Sequence, residues 1–180
     1  MLHRHRRTGL GLALTAAFVL SGCGFHPIYA PTESGMAAPA EVGFSRIVVG
    51  MNYGRYGQLL REDLQQKFDL GGEGVSKLYQ LETNYRVNVD GIAFDYTLGF
   101  ATRYRLIATA DWSLISLDPD RHTITSGRAR QVDGYNPIDN QPFYQDLQND
   151  TTQSRLAKAV AQDISLQLAS YFAQHPPPAN

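Results

Sequence analysis

Two kinds of side chain in this sequence invite chemistry. One is Cys23, the only cysteine of the chain. A lone thiol can be acylated, but it offers neither an intrachain disulfide nor a thiolate metal cage. The other is a set of arginines at alternate positions: Arg103 and Arg105, then Arg128 and Arg130, with Arg86 upstream. Alternate residues of a strand share a face. If those strands pair, the guanidinium groups cluster on one surface, and planar guanidinium forks bind phosphate bidentately. The competing reading is a solvated strand face balanced by Glu82 and Asp111.

Groupings that would support catalysis are missing from the sequence. His26, His122 and His175 have no partner at metal-ligand spacing. No Gly-x-Ser-x-Gly, His-Glu-x-x-His or phosphate-cradling glycine loop occurs. Gly71-Gly72-Glu73-Gly74 follows a predicted helix instead of opening one, and Asp118 and Asp120 flank Pro119 as in a polar turn. The expectation is a protein that is not an enzyme, with no metal and no cofactor.

Cys23 gains meaning from what precedes it. Arg4, Arg6 and Arg7 form a basic start, and residues 9–20 are uncharged and mostly apolar. That run is short of the ~20 residues a membrane-spanning helix needs. Leu20-Ser21-Gly22-Cys23 then resembles the lipobox of bacterial lipoproteins. Residues 1–22 are therefore read as a signal peptide, with acyl chains placed on Cys23. Gly24 stands where an Asp would resemble an inner-membrane retention signal, so the expected location is the outer membrane, facing the periplasm. Removal of the signal leaves 158 of the 180 residues, 13 basic and 17 acidic, a net charge of −4. Such a balance argues against a general nucleic-acid binder. No later stretch is long and apolar enough to predict a transmembrane helix.

These side chains need elements to hold them. Residues 23–43 contain Pro27, Pro31 and Pro39 and read as a lipidated tether without a helix. Its Phe25, Ile28 and Tyr29 are apolar enough to lie on the domain or on a partner. Residues 44–50 are a short β-branched strand. Residues 55–70 form a helix through Tyr56, Leu60, Leu64 and Phe68, with an Asp63–Lys67 pair at the edge of the stripe. Glycines 71, 72 and 74 end it. Residues 77–90 and 100–117 alternate as long strands, joined by an unusually apolar link with Ile92, Phe94, Tyr96 and Leu98. Residues 122–132 make a fourth strand, in which Gly127 predicts a bulge or a close backbone approach. A long helix over 143–172 buries Leu156, Val160, Ile164, Leu168 and Tyr171, and its polar start at 148–153 predicts fraying or a bend.

The order β-α-β-β-β-α predicts an α+β fold. Two amphipathic helices pack on one face of a four-stranded, mostly antiparallel mixed sheet, as a two-layer sandwich. Residues 44–174 are one domain and 175–180 an extended tail.

Cys23-Gly24-Phe25-x-Pro27-x-Tyr29 after the lipobox, and Ser126-Gly127-Arg128-Ala129-Arg130 leading to Tyr135-Asn136 and the long helix, are together specific. They resemble the lipopolysaccharide-assembly lipoprotein family (LptE) in its alphaproteobacterial form, along nearly all of the chain after the signal. The stretch 141–153 departs from it, since an Ala-rich helix start would be expected. The resemblance implies a plug and assembly partner inside a large outer-membrane β-barrel (LptD-like), in contact with lipopolysaccharide. Arg103, Arg105, Arg128 and Arg130 would then meet lipid phosphates. Ile92, Phe94 and Tyr96 would meet acyl chains or the barrel wall. The alternative is another periplasm-facing envelope lipoprotein: a peptidoglycan- or lipid-binding module, or a hydrolase.

Overall fold

The computed structural model describes residues 38–69, 74–95, 97, 99–137 and 141–178. The signal, Cys23, most of the expected tether, Gly71, Gly72, Tyr96 and Leu98 lie outside them. Seven elements follow in order: α1 (Pro39–Ser45), β1 (Ile47–Val49), α2 (Arg55–Phe68), β2 (Tyr79–Asp95), β3 (Phe100–Ser116), β4 (Thr123–Tyr135) and α3 (Pro142–Gln174). The four strands form one sheet in the order β1-β2-β3-β4. β1 is parallel to β2, while the β2–β3 and β3–β4 pairs are antiparallel. This is the expected α+β sandwich, with a third, short helix added.

α1 corrects the expectation that residues 23–43 hold no helix. Pro39 occupies the first helical turn, where a missing N–H costs nothing, and Glu41 complements the helix dipole there. A Cβ on Gly43 would stand 2.5 Å from the Phe172 ring, so glycine lets α1 seat directly on α3. Phe44 follows with rings of Phe68 at 4.8 Å and Phe172 at 6.3 Å. The first strand is accordingly shorter than predicted, because residues 44 and 45 belong to the helix.

The core lies between the helices and one face of the sheet. Leu81 of β2, Leu106, Ala108, Ala110, Trp112 and Leu114 of β3 and Ala129 of β4 are buried against Leu60, Leu64, Leu156, Val160, Ile164 and Leu168. Phe172, not Tyr171, completes the α3 stripe. The two long helices run parallel, tied by Arg55–Asp150 at 3.0 Å near one end and Lys67 Nζ to Gln162 Oε1 at 2.6 Å near the other. Lys67 thus bridges helices instead of pairing with Asp63. α3 runs unbroken through its polar start, because those side chains bond locally: Thr152 Oγ1 to the Gln148 carbonyl at 2.7 Å, and Ser154 Oγ to the Asp150 carbonyl at 2.9 Å.

Gly127 lies in regular register opposite Trp112, so it is no bulge. A Cβ there would come within 2.6 Å of the Trp112 indole and 2.8 Å of Gln167 Oε1. The close approach is by side chains: Trp112 Nε1 donates to Gln167 Oε1 at 3.2 Å across the space the glycine leaves.

Candidate functional site: the open face of the sheet

All the buried strand side chains named above point to one face. The opposite face carries the even-numbered residues of β2 up to Asp90, the odd ones of β3 from Arg103 and the even ones of β4 from position 126 on, and no described helix covers it. Register turns their alternation into rows. Asn84, Asp111 and Arg128 form one row across three strands, and Arg86, Thr109 and Arg130 form the next. Further along, Arg105 stands between Asp90 and Gly134, and Arg103 opposite Ala93. The sheet therefore brings Arg86, Arg105, Arg128 and Arg130 together on one surface, with Arg103 at its distal end.

Electrostatics divides them. Asp111 receives Arg128 Nε and Arg86 Nη2, each at 2.5 Å, from the two flanking strands. The Arg128 hydrogen bond is the largest influence on its carboxyl; burial, second in size, pulls upward, and the charges of Arg128 and Arg86 with the Arg86 hydrogen bond tip the balance to below the ordinary value. Arg105 Nη2 pairs with Asp90 at 3.1 Å. Arg103 and Arg130 are exposed and have no carboxylate partner among the described residues. The face is thus part balanced ion-pair network and part free cation. Arg86 and Arg130 flank Thr109 about 10 Å apart at their Cα atoms, two strand spacings, which leaves an anion room between them. Asp90, a partner of Arg105 that sequence reasoning missed, became visible only through the β2–β3 register.

Of the apolar residues expected in the hairpin link, Ile92 and Phe94 sit on β2 itself. The strand runs on to Asp95, and two register shifts around Ala93 bend it. Ile92 is 45% and Phe94 56% exposed. Gly91 gives the Phe94 ring its seat, since a Cβ there would stand 3.1 Å from Phe94 Cζ and 3.2 Å from the Ala101 Cβ. Val89, on the same side of β2 as Leu81, is 48% exposed. Where α2 begins, Tyr53, Tyr56, Tyr85 and Val87 line a cleft of about 240 Å³. The Tyr85 Oη there is buried without a hydrogen-bond partner among the described residues, and burial pushes its pKa up to about 12, with Tyr56 adding a smaller effect. No group of three metal-ligating residues occurs among the described residues, and none of their helices is long and apolar enough to cross a membrane.

The architecture is one that bacterial lipoproteins carry. No family model matches the chain, and no curated protein does. Among solved structures, a candidate lipoprotein from Caulobacter crescentus CB15 superposes with a TM-score of 0.61 at 28% identity, covering 78% of this chain and all of that one. Rare lipoprotein B from Shewanella oneidensis follows at 0.54 and 13%, covering 72% and 96%. A minor lipoprotein from Acinetobacter baumannii gives 0.54 and 14%, covering 76% and 97%. At these last identities the likeness is one of fold.

Proposed function

We propose that the chain is an outer-membrane lipoprotein, anchored through Cys23, of the lipopolysaccharide-assembly (LptE) family. It acts as plug and partner of a large LptD-like β-barrel and contacts lipopolysaccharide during its insertion into the outer leaflet. The observation that carries this reading is the uncovered sheet face, which has cross-strand ion pairs and two arginines, Arg103 and Arg130, without a carboxylate partner among the described residues. A polar barrel lumen is a surface of matching character, and phosphorylated lipid is a matching ligand. The likeness to lipoproteins, at 28% identity over the whole of one of them, supports it further. In this role Arg103, Arg105, Arg128 and Arg130 meet phosphate, while Ile92 and Phe94, with Tyr96, meet acyl chains or the barrel wall.

A pull-down of tagged full-length protein from detergent-solubilised outer membranes tests the partnership. One large β-barrel protein recovered in near-equal amount is the expected result. Recovery of the lipoprotein alone, from cells that still export lipopolysaccharide after its depletion, contradicts the reading. It would instead favour a periplasm-facing lipoprotein with another ligand.

A further inference from the structure

The junction between α1 and β1 holds a buried charge. Arg46 is 6% exposed, and no carboxylate of the described residues pairs with it. A guanidinium taken out of water is strongly unfavourable unless its N–H groups find acceptors. The backbone around it is matched from the sheet and the helix. The Arg46 carbonyl accepts from the Leu78 and Tyr79 N–H groups at 2.9 and 3.1 Å, the Arg46 N–H donates to the Gly43 carbonyl at 3.2 Å, and Lys77 Nζ donates to the Ser45 carbonyl at 2.8 Å. The side chain turns elsewhere. Its Nη1 donates to the Pro178 carbonyl at 2.6 Å, 132 positions away in sequence. The end of α3 brings that carbonyl in. The His175 N–H donates to the Tyr171 carbonyl at 2.9 Å, and the His175 ring stacks on Tyr171 with centroids 4.5 Å apart and planes at 14°. Tyr171 lies against Phe172 at 5.6 Å, and Phe172 against Tyr79 at 5.7 Å. Burial raises the pKa of the Tyr79 hydroxyl, the nearby Arg46 charge opposes it, and Tyr171 adds a smaller rise. Residues 175–178 thus span from Tyr171 at one end to Arg46 at the other, with Tyr79 close to both. Their composition suits the place. Pro176, Pro177 and Pro178 have no N–H, and each proline keeps its neighbour extended, near the polyproline II conformation. Such a run presents acceptors and no donors, while arginine presents five donors and no acceptor. Aromatic side chains beside a preformed extended run are also how proline-rich segments are recognised.

We propose that Arg46, Tyr79 and Tyr171 form a polyproline-binding site that the chain fills with its own residues 175–178, strapping the end of α3 to the α1–β1 junction. The strap holds α1 at its C-terminal end, next to the seat that Gly43 and Phe44 take on Phe172. Its consequence is positional. α1 is the first described element after Cys23, so the strap fixes where a lipid tether joins the domain. That consequence rests on the lipidation reading; the strap itself does not.

Amide hydrogen exchange on the full-length protein in detergent micelles tests the strap. In the native chain the Arg46, Leu78 and Tyr79 amides should exchange slowly. Ending the chain at Gln174 leaves the guanidinium without its acceptor and should speed all three about tenfold or more. Unchanged β3 amides show that the domain is folded. The peptide His-Pro-Pro-Pro-Ala-Asn, added at millimolar concentration to the shortened chain, should restore slow exchange, and His-Gly-Gly-Gly-Ala-Asn should not. Arg46→Met puts an apolar side chain there that needs no acceptor, and in that background the same shortening should change exchange less than about threefold. Should the shortened native chain unfold, Arg46→Met should restore its fold. Shortening that leaves the three amides slow overturns the proposal. So does an equal effect of shortening with and without Arg46→Met, a shortened Arg46→Met chain that stays unfolded, or equal rescue by the glycine peptide.

Discussion

The two faces of the sheet are built from the same three long strands and have opposite fates. On one face Leu81, Leu106, Leu114 and Trp112 are at most 4% exposed, closed by the protein's own helices. On the other, Arg86, Arg128 and Arg105 keep about half their side-chain surface in water while paired to Asp111 and Asp90. The first face stabilises the fold through apolar burial, at ~25 cal/mol per Å². The second contributes little, because exposed ion pairs are worth ~0–1 kcal/mol. A face that large, polar and uncovered has its consequence in what it meets.

Substitutions on the two faces should therefore separate stability from binding. The largest stability effect is expected at the helix-side core: Ile164→Ala removes a fully buried side chain and should cost ~2–5 kcal/mol in denaturant unfolding. A single core position that costs less than 1 kcal/mol would break the contrast. Gly127→Ala should come next, at ~1–3 kcal/mol, because its Cβ would press on the Trp112 indole and Gln167.

Tyr85 sharpens the contrast by pH. Its folded pKa, pushed up to about 12, lies above the unfolded value near 10. Its contribution to stability is thus complete below pH ~10 and is lost as the pH rises toward 12. Tyr85→Phe should flatten that alkaline loss with little cost at pH 7, since its Oη has no partner. An equal alkaline slope in both proteins would refute this. The smallest stability effect is expected at Asp111→Asn on the open face. Thermal unfolding should shift little, while release of Arg86 and Arg128 should raise retention on phosphate-bearing lipid vesicles, most strongly at low salt. Unchanged retention would mean that the arginines do not meet anions.

The fold was legible where hydrophobic periodicity is strong. Alternation in β2 and β3 and the four-residue stripes of α2 and α3 reflect burial on one side, which sequence records directly. α1 was hidden because its stability comes from Phe172 and Phe68, residues more than twenty positions away, and its own proline and glycine read as breakers. Pro39 followed by Glu41 was the one local signal of a helix start. The arginine cluster was legible as a face but not as a network. That Asp111 serves Arg86 and Arg128 together depends on the register of three strands, which alternation alone does not set. The seat of Trp112 on Gly127 was invisible for the same reason: the gap a glycine leaves is filled from another element.

The most direct test places a photo-crosslinking residue at Thr109, between Arg86 and Arg130 at the centre of the open face, in cells whose outer membrane is intact. The account predicts adducts with one large β-barrel protein or with lipopolysaccharide. A protein that reaches the membrane at normal levels and yields neither adduct from Thr109 would contradict it.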